Sequence, residues 1–349
     1  APPSPAGIVY AGATLRGVLK SFDRGATWRA VNRGLHGLVV GRLVIAPSDA
    51  AVFYASVQGL GVLRSDDAGA SWRLANGGLD FEPFLLAVDP HDPQTVLASR
   101  LAGGLWKTSD GGASWRTTAG DAICTLAQEI VFDPRGGGTG YAAGTHGFAS
   151  CPSLPAGACK GFRSTDGGET WTCMEELSRE VHALAIDPAD PATLYAGGFF
   201  EVQTTTDAGR NWSDASAGLP VVIVQSLALT PRAPGIVFAG TSSGLFRRPG
   251  GGAWSRYLPE LFTTWTNLTV APSAPAILYA QQDSTGSTLR TPLYRSVDAG
   301  ASWRRITERG LPAGHSIFTV VVDPAQPRVI YTLAAGAIYR LSRPSAPPR

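Results

Sequence analysis

Carboxylates recur along this chain at nearly even intervals: Asp23, Asp67, Asp110, Asp166, Asp207 and Asp298. Each sits in one eight-residue phrase, S/T-x-D-x-G-x-x-W, as in SDDAGASW from Ser65, TSDGGASW from Thr108 and STDGGETW from Ser164. Acids at fixed spacing could coordinate cations or exchange protons with a substrate. Their neighbours assign a plainer chemistry. An aspartate in a short polar turn accepts hydrogen bonds from amides of its own loop. The glycine two residues on (Gly25, Gly69, Gly112, Gly168, Gly209 or Gly300) supplies the positive φ such a turn needs. The closing residues, Trp28, Trp72, Trp115, Trp171, Trp212, Trp254 and Trp303, are large enough to anchor packed sheets. A worn copy, RRPGGGAW from Arg247, keeps only glycine and tryptophan. The aspartates therefore read as turn staples rather than catalytic acids.

Most of these tryptophans stand 41 to 49 residues apart, a period that marks a repeat architecture. About 25 residues before each lies a second phrase, an apolar run, a turn and another apolar run. Its clearest copies are LAVDPHDPQTVLAS from Leu86, LAIDPADPATLYAG from Leu184 and VVVDPAQPRVIYTL from Val320. Proline breaks the chain there, since it donates nothing to a ladder. Each repeat then reads as four short strands; in the second these are Arg42–Pro47, Val52–Val57, Gly61–Asp66 and Ser71–Ala75. No stretch sustains a helical period. The expectation is an all-β chain, a single β-propeller of four-stranded antiparallel blades.

The two phrases together resemble the Asp-box, or BNR, repeat propellers. They are similar to photosystem II stability/assembly factors, and also to sortilin-type receptors and glycoside hydrolase family 74. The resemblance covers nearly the whole chain. It implies that the Asp turns lie opposite the usual ligand face, and it implies no single activity, because enzymes, receptors and assembly factors share the box.

Seven first strands, seven last strands and eight middle pairs allow seven or eight blades, and the apolar character of every middle pair favours eight. The propeller is expected over residues 1–342, followed by a disordered Pro-rich tail, 343–349. The opening APPSPAG reads as a mature end after signal cleavage, which places the protein in the periplasm or outside the cell. The four cysteines fall in one repeat, which carries an insertion at 145–161. The expected disulfides are Cys151–Cys159 and Cys124–Cys173, again implying an oxidising compartment. A zinc site is disfavoured because no C-x-x-C pair occurs.

Function should sit where the repeat stops dictating residues. Aligning the first strands places Arg42, Phe84, Gln128 with Glu129, His182, Gln225, Asn267 and Phe318 at the strand entrance, and Leu or Ile directly follows Arg42, Phe84, Glu129 and Asn267. A variable polar ring over an apolar layer suits a binding mouth, and equally a wet channel entrance. Phe81, Phe199, Phe200, Phe262 and Trp265 fall near the same loops and could stack on sugars or dock a protein. Net charge is +2, and thirteen arginines against five acids make residues 230–349 basic. No basic stripe interleaved with aromatics points to nucleic acid.

Sialidases of this repeat type use an arginine triad and an early R-I-P segment, which does not occur here. Family 74 hydrolases work between two propellers, and one is expected here. The acids Asp80, Glu82, Glu129, Glu175, Glu176 and Asp283 could supply an acid/base pair, with nothing to single out two. No catalytic residue, metal or cofactor is assigned. The sequence reading is an exported, non-catalytic propeller that binds another protein as scaffold, assembly factor or accessory subunit of an envelope or membrane complex. The competing reading is a glycan-binding module or glycosidase.

Overall fold

The computed structural model describes residues 9–13, 17–21, 29–30, 40–101, 103–120, 125–146, 159–177, 180–230, 235–257, 264–271, 274, 276–282, 292–305, 317–325, 330–334 and 337–341. The first complete blade is formed by β4 (Val40–Ala46), β5 (Asp49–Val57), β6 (Gly61–Ser65) and β7 (Arg73–Leu74), paired in that order. Prolines and Asp-containing turns separate these strands, while Val, Leu, Ile, Phe and Tyr fill them. The last strand is shorter than its sequence suggested, two residues in place of five.

Five more blades repeat the plan. They are β8 (Pro83–Val88) to β11 (Arg116–Thr117), β13 (Thr125–Phe132) to β16 (Thr170–Cys173), and β17 (Val181–Ile186) to β20 (Ser213–Asp214). The others are β21 (Val224–Thr230) to β24 (Ser255–Arg256) and β25 (Trp265–Val270) to β28 (Arg304–Arg305). A short β12 (Ala119–Gly120) adds a parallel fifth strand beside β16. Three-stranded sheets, β1 (Val9–Ala13) to β3 (Arg29–Ala30) and β29 (Ile317–Val322) to β31 (Ala337–Leu341), hold the two ends.

Six complete four-stranded blades are thus described, not the seven or eight expected. The expectation gave every middle pair its own sector. In the structure the inner strands β4, β8, β13, β17, β21, β25 and β29 follow one another side by side, and β29 lies against β4. This leaves β1 to β3 without a place in the inner circle, and β1 runs along β31 instead.

Apolar residues pack between neighbouring blades. Trp115 lies with Tyr54, Val62 and Ala75 of the preceding blade, and Trp254 with Ala215 and Val202 of its own predecessor. The aspartates tie the turns beneath. Asp110 accepts from the Thr108 hydroxyl at 2.7 Å, the Ser114 amide at 2.8 Å and the Ser114 hydroxyl at 2.6 Å. Those Ser114 bonds, hydroxyl first, hold its carboxyl at about 2. Asp67, Asp166, Asp207 and Asp298 repeat the arrangement, whereas Asp23 and Trp28 lie outside the described residues. Gly300 shows why glycine stands in the box: its φ is +83°, and a Cβ there would come within 2.1 Å of Phe238 Cζ.

The cysteine pairing differs from expectation. Cys159 bonds Cys173 with Cα atoms 5.8 Å apart, so neither Cys151–Cys159 nor Cys124–Cys173 forms. The ladder explains it. Phe162 stands opposite Cys173 across β15 (Gly161–Ser164) and β16, which brings Cys159, two residues before β15, near the same strand. The expected Cys151–Cys159 bridge would have closed the insertion on itself. Cys124 and Cys151 lie outside the described residues.

Candidate functional site

Every inner strand is interrupted at the same point. On β4 the pairing steps from Val40 opposite Val57 to Arg42 opposite Ser56, leaving Gly41 unmatched. The same step leaves out Phe84, Gln128, His182 and Gln225 on β8, β13, β17 and β21, and Thr266 and Phe318 on β25 and β29. Such a bulge sets two residues against one, bends the strand and re-aims a side chain. Ordinary alternation would send consecutive residues to opposite faces. Here Gln128 and Glu129 reach the same cavity, as do Gln225 and Ser226.

That cavity, about 370 Å³, opens at the strand entrance. The structure brings together Arg42, Phe84, Gln128, Glu129, His182, Gln225 and Asn267 around it, over Leu184, Leu227 and Leu268. Ser65, ahead of its Asp box, pairs with Phe53, which pairs with Ile45 at the far end of β4. The Asp turns and the mouth therefore occupy opposite ends of the blades.

Arg42 donates from Nε to the Phe84 carbonyl at 3.3 Å, and its guanidinium lies 5.8 Å from the Phe84 ring centre. Glu129 has no hydrogen-bond partner among the described residues, and burial pushes its carboxyl up to about 7 against the opposing pull of Arg42. Burial pushes His182 down, against Glu180. His182 Nε2 and Ser226 Oγ are buried without a partner among the described residues. Asn267 donates to Gln281 Oε1 at 3.0 Å. Among the described residues the mouth thus presents one guanidinium, one carboxyl group and several amide and hydroxyl groups.

Phe200 stands outside the cavity but is linked to it. The His182 ring meets Phe199 edge-on at 4.5 Å, and Phe199 lies 6.0 Å from Phe200. Phe200 is 53% exposed, and its φ of +67° is an uncommon conformation for a bulky residue. Its amide donates to the Val222 carbonyl at 2.9 Å, beside the exposed Val221. Sequence reasoning gave no hint of this backbone. Trp265 opens β25 opposite Gln282, but its side chain, like that of Phe318, lies outside the described residues, as does all of Phe262. Phe81 instead meets Trp106 edge-on, both half-buried against the core between blades. Among the described residues Glu129 is the one candidate acid that lines the cavity; Asp283 lies outside them. No group of three His, Cys, Asp or Glu among the described residues could hold a metal.

The fold and this layout define an Asp-box propeller. The BNR/Asp-box repeat family matches residues 162–172, and no curated protein matches the chain. Among solved structures, the GH74 xyloglucanase from Xanthomonas campestris is similar at 17% identity and a TM-score of 0.66, over 87% of this chain and 52% of that one. YCF48 bound to D1 peptide is similar at 15% identity and a TM-score of 0.64, over 89% of this chain and 94% of that one. YCF48 from Cyanidioschyzon merolae is similar at 11% identity and 0.62, over 87% and 95%. The chain spans about half the length of the GH74 structures it resembles. At these identities the likeness is one of fold.

Proposed function

We propose that the chain is an exported, non-catalytic propeller that binds another protein through its channel mouth. It serves as scaffold, assembly factor or accessory subunit of an envelope or membrane complex. The observation that carries this reading is the ring at the bulges. The frame repeats from blade to blade, while the side chains it aims into the cavity vary among Arg42, Phe84, His182 and Asn267, with glutamine recurring at 128 and 225. That is a surface shaped for one asymmetric ligand. The similarity to YCF48, a protein solved with a bound D1 peptide and matched over nearly its whole length, supports the same class of ligand.

A carbohydrate-active role is the second reading, favoured by the fold shared with GH74 and by the exposed Phe200 ring beside a polar cavity. Glycoside hydrolysis of the usual kind needs two carboxyl groups roughly 5–10 Å apart, and among the described residues Glu129 is the one carboxylate lining this mouth. Co-purification from the native host, with the wild-type chain and an Arg42→Ala/Gln225→Ala variant, tests the first reading. A protein retained by the wild type and lost from the variant supports it. Turnover of a polysaccharide or sialoside, or sugar affinity lost on Phe200→Ala or Trp265→Ala, overturns it.

A further inference from the structure

The mouth holds one guanidinium and one carboxylate among its lining residues. Arg42 is braced by the Phe84 carbonyl and ring, and no other hydrogen bond to a described residue engages it. A guanidinium has five N–H donors, so most stay free for a planar, two-oxygen acceptor. Ser226 Oγ and His182 Nε2 add buried polar atoms that lack partners among the described residues. The open N–H groups of Arg42 then select the guest. An ammonium would bring a second cation beside Arg42. A carboxylate would pair with Arg42, and Glu129 beside it would take a proton, because two carboxylates sharing one site favour holding one proton between them.

We propose that the mouth is a proton-linked receptor for a carboxylate, the side chain of an aspartate or glutamate on the partner, which enters beside Arg42 as Glu129 takes up a proton. This rests on reading the mouth as a protein-binding surface. The upward displacement of Glu129 by burial places the exchange near neutrality. Few other charges face Glu129. His182 from β17 is held towards its neutral form by burial, Glu82 is exposed at the entrance of β8, and Arg100 of β9 (Val96–Arg100) lies over Phe81. On β14 (Gly140–His146), Tyr141 packs in the core and the His146 side chain lies outside the described residues.

The test is calorimetry on the full chain with N-acetylglutamate amide, N-acetylglutamine amide and inorganic phosphate, in buffers of differing ionisation enthalpy. The glutamate probe should bind about 10-fold more tightly near pH 6 than near pH 8, with close to one proton taken up at the higher pH. Glu129→Gln should bind it equally at both, and Arg42→Gln should lose it. Equal binding of the glutamine probe, tighter binding of phosphate, no binding, or no proton uptake by the wild type overturns the proposal. The wild-type measurement decides this whether or not a variant folds. A host protein captured with pH-independent affinity would sink the carboxylate and leave protein binding standing, whereas failure to capture any protein would sink the protein-binding reading and with it a partner's side chain as the guest.

Discussion

The indole N–H of Trp115 donates at 2.7 Å to the carbonyl of Ala75, which follows the last strand of the preceding blade. Trp254 does the same to Ala215 at 2.7 Å. Trp72 and Trp171 instead turn their N–H groups to Gly69 and Gly168 in their own loops, both at 3.1 Å. One residue type at one repeat position therefore serves two ends. Some tryptophans fasten blade to blade, and others close their own turn.

Trp115→Ala should destabilise the chain by about 3–5 kcal/mol, the usual cost of emptying a large buried aromatic site. Trp115→Phe keeps most packing but leaves the Ala75 carbonyl without its donor, at about 1–3 kcal/mol. Denaturant unfolding of the two variants measures both. A difference near zero between them would remove the inter-blade bond from the account.

Asp110→Ala should cost about 1–2 kcal/mol, since it breaks charge-assisted bonds at an exposed turn. Because the folded carboxyl sits at about 2, below its ordinary 3.8, its contribution is fully present above about pH 4 and fades as pH falls towards 2. Wild type and variant should thus converge in melting temperature in acid and separate near neutrality.

Glu129 runs the other way. Its folded carboxyl is raised to about 7 by burial, so the native state holds a proton that the unfolded state has released. Stability falls as pH rises from about 4.5 to about 7 and is level beyond. Glu129→Gln should leave stability near pH 5 unchanged and raise it at pH 8 by on the order of 2 kcal/mol. Melting curves at the two pH values check the sign.

Phe200→Gly should release the cost of about 1 kcal/mol that a non-glycine residue carries at positive φ, while removing an exposed ring. Stability should hold or rise, and binding of any partner that reaches past the mouth should weaken. A variant that melts much lower would mean that the ring serves packing instead.

Cys159→Ser/Cys173→Ser opens a loop of about 15 residues, for which chain entropy gives about 3 kcal/mol. Peptide mapping without reduction should join the peptides carrying these two cysteines. A Cys151–Cys159 peptide would contradict the structure.

The repeat unit was legible because its signals are local. Asp110, Gly112 and Trp115 each fix their own turn or the entry to a strand, and the period follows from counting them. The ring of Arg42, Phe84, Glu129, His182, Gln225 and Asn267 was legible by alignment, because a position that escapes the repeat stands out against those that keep it. Blade number and disulfides were not. Both depend on which distant segments become neighbours: β29 against β4, Cys173 across from the start of β15. Nor did anything in the sequence announce the bulges, since Gly41, Phe84, Gln128 and His182 share no chemistry that would mark them as one structural position.

On the proposed reading of the mouth, the bulge repeated on every inner strand separates specificity from stability. Changing what stands at Gln128, His182 or Gln225 would rewrite the lock without disturbing the Asp turns that keep its barrel round, far below. A lineage, or an engineer, could exchange the guest several times over on one unchanged chassis.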